Sequence, residues 1–269
     1  MADEIITPTQ TEAPQAAYPT EASREMMDAG VFYGRKKNKT NPKMKQYVLA
    51  NRGGIEIINL QKTEDAVAEA AGFVTEKVGS GALVLFVGAV AAADKAITDL
   101  AKKYAFPYVT TRWVGGTITN YRNIAKRIDY MKKLRADIAS HALDKYTKKE
   151  RLELEKDLAR LEELMGGLEM LTREPDILIV VDPVLHDTAV REAMIKKIPV
   201  VSFANVDVDP DMIDYLVPGN DKAKLSIEWF LGKIDGAVAE GMKLRAAAAA
   251  KAAAAKDAAP KEEAKDSGK

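Results

Sequence analysis

The chain is 269 residues long, 47% hydrophobic, and carries 40 basic and 40 acidic residues, so its formal charge at pH 7 is zero. That length holds one large domain or two small ones, and the apolar share is enough for a sizeable core. Zero net charge argues against binding nucleic acid with the whole surface. The absence of cysteine excludes disulfides and thiolate metal sites, and two histidines, His141 and His186, argue against a histidine-rich one. No cationic start followed by an apolar run marks a secretory signal. The longest apolar run, Gly81 to Ala93, is too short to span a bilayer and reads as a strand entering a helix. The expectation is a soluble, cytoplasmic protein.

Residues 1–22 carry Pro8, Pro14 and Pro19 among Thr, Gln, Glu and Ala, and read as a disordered acidic leader. Ser23 to Gly30 is a short helical turn closed by glycine. The charge then reverses. Between Val31 and Arg52 stand seven basic residues (Arg35, Lys36, Lys37, Lys39, Lys43, Lys45, Arg52) and no acidic one, with Phe32, Tyr33 and Tyr47 interleaved. Cations that meet phosphates release counterions, and rings can stack on bases, so this segment points to RNA. The alternative is a solvated basic loop with Phe32 and Tyr47 anchored in the core.

Ile55 to Leu60 is a β-branched strand, and Thr63-Glu64-Asp65 is expected to cap a helix running to about Val78. Ala82 to Val87 is a continuous apolar run, as in a central parallel strand covered on both faces. A helix from Ala91 to Tyr104 follows, and a strand begins at Pro107. That strand leads into Arg112-Trp113-Val114-Gly115-Gly116-Thr117-Ile118-Thr119-Asn120. Adjacent glycines allow a sharp turn, and Thr117 and Thr119 are candidate caps for a helix starting near Thr117. Arg112 and Trp113 bring a cation and a flat ring to this bend, a mix suited to phosphate or an unpaired base. The alternative is a structural turn with Trp113 plugging the core.

Tyr121, Ile124, Ile128, Met131, Leu134, Ile138 and Ala142 then follow three-and-four spacing. After a polar break at Asp144 to Thr147, a second stripe runs Leu154, Leu158, Leu161, Met165, Leu168. Such a pair predicts an antiparallel coiled-coil hairpin. From Arg112 to Arg135 there are seven basic residues and one acidic, whereas Glu150 to Asp176 holds nine acidic and four basic. The arms can therefore attract each other and the first can face RNA, although taken by itself the arm reads more simply with Arg122, Lys126, Arg127 and Lys133 as a solvated coiled-coil flank. Alternation resumes with a strand at Asp176 to Val181, a helix from His186 to Lys197, a strand at Pro199 to Phe203, a turn at Asp209-Pro210-Asp211, and a short strand at Tyr215 to Pro218. A helix from Ser226 to about Leu244 presents Ile227, Phe230, Leu231 and Ile234. The Ala/Lys/Glu-rich remainder is expected to prolong it by a few turns at most and then fray.

Repeated β-α order predicts an α/β fold: a parallel-sheet three-layer sandwich, Rossmann- or flavodoxin-like, with the hairpin inserted between two strands. The expected organisation is a leader at 1–22, an α/β domain at 23–116 and 172–244, a hairpin at 117–171 and a disordered tail at 245–269. Ligands of such sheets bind at strand carboxyl ends. No G-x-G-x-x-G follows a strand, and neither a phosphate-binding G-x-x-x-x-G-K-[ST] loop nor a G-x-S-x-G elbow exists. Asp182 and His186 lie near one strand end, but nothing supplies the third group that acid–base catalysis needs. Asp207, Asp209 and Asp211 alternate without the glycine and distal glutamate of a calcium loop, and read as a turn.

Asp28-Ala29-Gly30-Val31-Phe32-Tyr33-Gly34, Asn41-Pro42-Lys43-Met44, Ile55 to Thr63, Arg112-Trp113-Val114-Gly115-Gly116, Thr119-Asn120, Glu174-Pro175-Asp176, Asp209-Pro210-Asp211 and Val217-Pro218-Gly219-Asn220-Asp221 occur in this order. Together they resemble the bacterial small-subunit ribosomal protein S-two family, from about Met26 to Met242. The resemblance implies an α/β sandwich with a protruding coiled-coil hairpin and no catalysis or cofactor. It also implies a place between head and body of the small subunit, contact with small-subunit ribosomal RNA and neighbouring proteins, and help in seating protein S-one. The chain departs from the family where histidines are usual: Phe32 stands at one such place and Arg35 with Lys36 at another. Its leader is also longer than usual. The RNA-binding candidates are Arg35, Lys36, Lys37, Lys39, Lys43, Lys45, Arg112, Trp113, Arg122 and Lys126. A nucleotide-dependent enzyme and a pure protein scaffold are the competing readings.

Overall fold

Three apolar strands fix the centre of the molecule. Val84–Val87 (β4), Ile177–Val181 (β6) and Val200–Ala204 (β7) are buried at every position, as expected of strands covered on both faces. In the computed structural model, which describes residues 21–257, they are the middle of a five-stranded parallel sheet. Its edges are Tyr108–Val109 (β5) and Tyr215–Pro218 (β8), in the order β5-β4-β6-β7-β8. A three-stranded antiparallel sheet precedes it: Tyr33–Lys36 (β1), Val48–Arg52 (β2) and Ile55–Ile58 (β3), in the order β1-β3-β2. Of these three, sequence patterning marks β3 and misses β1 and β2. Both are short and largely exposed, so neither shows the alternation of a half-buried strand. The available signal is Gly53-Gly54, whose positive φ angles of 59° and 82° form the hairpin turn between β2 and β3.

The helices are α1 (Glu21–Asp28), α2 (Leu60–Gly79), α3 (Ala91–Tyr104), α4 (Tyr121–Ala139), α5 (Lys148–Met165), α6 (Asp187–Lys196) and α7 (Lys224–Asp257). On one face of the large sheet α2, α3 and α7 pack over Phe86, Ile177, Ile179, Val181, Val201 and Phe203. Phe203 stacks on Phe230 at 4.8 Å, and burying a side chain of that size stabilises the fold by roughly 1.5–3 kcal/mol. The other face buries Leu85, Val87, Leu178, Val180 and Val200 against α6, the root of α4 and the 113–118 bend. These are the three layers.

Two helix caps differ from expectation, and α7 starts at Lys224, two residues before Ser226. α2 begins at Leu60, because the Asn59 side chain accepts from the Gln61 N–H and caps there. Thr63 lies inside the helix, buried, and its hydroxyl donates to the Pro218 carbonyl at 2.8 Å. α4 begins at Tyr121 rather than near Thr117, and neither threonine caps it: Thr117 donates to the Val114 carbonyl and Thr119 to Glu192.

α4 and α5 pack antiparallel: Tyr121 bonds the Leu171 carbonyl, while Arg135, further along, pairs with Glu162 and Glu169. A Thr147–Glu150 capping box starts α5. The two ends of this excursion stand together, since the Thr111 hydroxyl just after β5 donates to the Glu163 carbonyl at 3.0 Å. Leu154, Leu158 and Leu161 are only half-buried, as befits a lone helix pair. At the two chain ends helix reaches further than expected. α1 takes in Glu21 and Ala22, the last two positions assigned to the leader, and α7 continues to Asp257, well into the Ala-rich tail. The rest of the leader, residues 1–20, and the rest of the tail, residues 258–269, lie outside the described residues.

Candidate nucleic-acid interface

The bend after β5 is built around one carboxylate. Trp113 is 9% exposed and packs into the second core, and its indole N–H donates to Glu192 Oε1 at 3.0 Å. The Gly116 N–H donates to the same oxygen at 2.7 Å. Glu192 Oε2 accepts from the Ile118 N–H at 3.1 Å, the Thr119 N–H at 3.0 Å and the Thr119 hydroxyl at 3.0 Å. Gly116 has φ +88°, a left-handed conformation that favours glycine at this turn. Burial pushes the Glu192 carboxyl up, but the donors on Thr119, Trp113, Gly116 and Ile118 outweigh it and hold its pKa below the usual value.

Arg112, Arg122 and Lys126 are exposed around this bend, and among the described residues their side chains make no ion pair or hydrogen bond. The first turn of α4 holds no acidic residue. Arg122, in that first turn, opposes the macrodipole at a cost of about 0.3–1 kcal/mol. A local preference overridden in this way is common where a surface has a task.

The basic segment is more divided. Arg35 Nε lies 3.1 Å from Asp207 Oδ2, and its Nη2 lies 2.9 Å from Asp221 Oδ1. Lys43 pairs with Asp209 at 2.9 Å and with Asp211. Met44 is fully buried, and the Asn41 N–H donates to the Val206 carbonyl at 2.8 Å, fastening the segment beside the end of β7. Lys36, Lys37, Lys39 and Lys45 are exposed, with no side-chain partner among the described residues. Tyr33 is 49% exposed, while Phe32 and Tyr47 are half-buried.

Of the ten candidates, seven therefore present free cations among the described residues, while Arg35, Lys43 and Trp113 have internal partners. The two groups share the carboxyl end of the large sheet but not an edge: the bend follows β5, and the basic segment is fastened near β7 and β8 at the other side. Sequence reasoning misses Glu192. Its signal is a charge three residues after Ala189 and two after Val190, on the buried face of α6.

The polar groups at the same sheet end are tied to one another. Asp182 has φ +60°, accepts from the Leu185 N–H and pairs with Lys222. His186 Nε2 accepts from the Ala89 N–H at 2.8 Å. Burial lowers its pKa to about 4, with Asp182 opposing and Lys222 assisting, so the imidazole is a neutral acceptor at pH 7. Asp221 is fully buried, and burial followed by the Asp182 charge raises its pKa to about 6 despite Arg35 and Lys222. Asp209 and Asp211 are occupied by Lys43, and no cluster of three or more His, Cys, Asp or Glu suited to a metal occurs among the described residues. No described helix is long and apolar enough to cross a membrane.

The profile of the family described as Ribosomal protein S2 matches residues 26–241. The chain is similar to the "Small ribosomal subunit protein uS2" of Geotalea uraniireducens, 40% identical over 222 residues that cover 82% of this chain and 87% of the relative. The protein of the same name from Thermus thermophilus is 39% identical over 210 residues, covering 78% of this chain and 82% of the relative. That of Pseudarthrobacter chlorophenolicus is 40% identical over 231 residues, covering 84% and 78%. With the profile spanning most of the chain and relatives near 40% identity, the chain belongs to the ribosomal protein S2 family, a structural and non-enzymatic family of the ribosome.

Proposed function

We propose that this protein is a structural constituent of the small ribosomal subunit, working in cytoplasmic ribosomes. In this reading it lies against small-subunit ribosomal RNA between head and body and helps to seat protein S-one. One observation carries it: a chain of zero net charge keeps Lys36, Lys37, Lys39, Lys45, Arg112, Arg122 and Lys126 exposed and without a partner among the described residues. These cations neutralise phosphates and read RNA shape rather than base sequence. Arg35, Lys43 and Trp113 hold the frame that presents them. The α4–α5 pair acts as a coiled-coil arm spanning 117–171. Tyr33, Leu49 and Ile55, exposed on the small sheet, supply apolar surface for a neighbouring protein.

The test is incorporation into small subunits, followed by sedimentation at moderate salt. Replacing Lys36, Lys37, Lys39 and Lys45 with alanine should release the protein from subunits at salt that retains the unaltered chain. Unchanged incorporation would remove the basic segment from the interface. Deleting residues 129–163 and measuring RNA association separates the arm's contribution from the body's.

A further inference from the structure

We infer that Glu192 is the positioning residue of the RNA-facing bend: from α6 it fixes the path of residues 113–119 and thereby aims Arg112, Arg122 and Lys126 outward. The inference rests on the RNA reading above. Five donors converge on the two oxygens of one buried side chain. Three are backbone N–H groups at Gly116, Ile118 and Thr119, in the turn before α4, which find no backbone carbonyl among the described residues. Without an acceptor from elsewhere they would be left unsatisfied at a part-buried site. A carboxylate suits them because it accepts only; its roughly four lone-pair sites are shared among the five donors, two on Oε1 and three crowded on Oε2. Its negative charge also faces the start of α4, where the dipole favours an anion and Arg122 opposes it.

The isosteric Glu192→Gln keeps the shape but replaces one acceptor oxygen with an NH2 group, which confronts N–H donors. The large sheet, held by fully buried strands, does not depend on this contact, whereas the bend does. Positioning predicts a specific coupling. Glu192→Gln should weaken binding only while the cations it aims are present, whereas general destabilisation would weaken binding on any background.

A double-mutant cycle tests this, using purified full-length chains and small-subunit ribosomal RNA in a filter-binding assay. The four chains are the unaltered protein, Glu192→Gln, the triple variant Arg112→Ala/Arg122→Ala/Lys126→Ala, and all four changes together. Glu192→Gln is expected to weaken binding about tenfold, to add nothing to the triple variant, and to shift the Trp113 indole N–H resonance while leaving that of Trp229 in place. Unaltered binding by Glu192→Gln beside a weakened triple variant overturns the Glu192 inference and leaves the RNA reading standing. Equal losses from Glu192→Gln on both backgrounds overturn it as well, since the effect is then stability. Undiminished binding by the triple variant removes the bend from the RNA surface, and the inference falls with it. If Glu192→Gln does not fold, Thr119→Ala at an exposed position carries the same cycle: weaker binding on the unaltered background and none lost on the triple one supports the inference, and the reverse overturns it.

Discussion

In residues 35–45 the cations divide, Arg35 and Lys43 being held by four aspartates while four lysines stay free; around the start of α4, Arg112, Arg122 and Lys126 all stay free. Both stretches read in sequence as runs of positive charge. The first is also a fastening between the small sheet and the large one, and the second is a stripe held in place by an anion behind it. Removing Arg35 would leave the buried Asp221 uncompensated and destabilise the fold, whereas the exposed Lys43 pairs and the unpaired cations contribute little to stability, and the unpaired ones are available to phosphate.

The largest expected effect tests that division directly. Removing Lys36, Lys37, Lys39 and Lys45 should weaken RNA binding about 10²-fold near 0.1 M salt and lower the salt slope by roughly one per cation. Arg35→Ala should leave that slope unchanged in the folded protein. Its effect is on stability, since Asp221 loses a cation while fully buried; about 3 kcal/mol is expected in urea unfolding, the low end of the range because Arg35 is 23% exposed. Adding Asp221→Asn should restore much of it. A fall in the salt slope for Arg35→Ala equal to that of a free lysine would erase the distinction.

A third prediction concerns pH. The folded pKa of His186 is about 4, below its usual 6.5, so its contribution is present above 6.5 and lost as pH falls toward 4. Asp221 is raised from 3.8 to about 6, so its contribution is present below 3.8 and lost as pH rises through 6. The slopes oppose one another between about pH 4 and 6, and the unaltered chain should show a shallow dependence there. Asp221→Asn should expose the histidine slope, on the order of 2 kcal/mol on acidification across that window, measured by urea midpoints. A slope unchanged by the substitution would sink this account. The smallest effect is that of Trp113→Phe, which removes one buried hydrogen bond to a charged acceptor and should cost about 1.5 kcal/mol with little change in salt slope.

The large sheet and its helices are legible in the sequence because their signals are local. Val84–Val87 and Ile177–Val181 are unbroken apolar runs, and α3 shows its own three-and-four spacing. What escapes depends on partners far along the chain. Arg35 meets acids 172 and 186 positions away, so no window on the sequence balances its charge. The start of α4 is set by Glu192, 74 positions beyond Ile118, rather than by Thr117 or Thr119. β1 and β2 escape for another reason: they are held by pairing to β3, and their own side chains are mostly exposed. The basic candidates are found by composition, but which of them are free is a property of the folded chain alone.

The excursion through α4 and α5 leaves and rejoins the body beside β5, with Thr111 bonded to Glu163 and Tyr121 to Leu171. Because its feet are fixed there, the register of the sheet is indifferent to how far the arm extends. Matched insertions or deletions near its tip would alter its span by about 1.5 Å per residue on each helix without disturbing a single strand. Helix length in this excursion is thus uncoupled from the order and register of the strands.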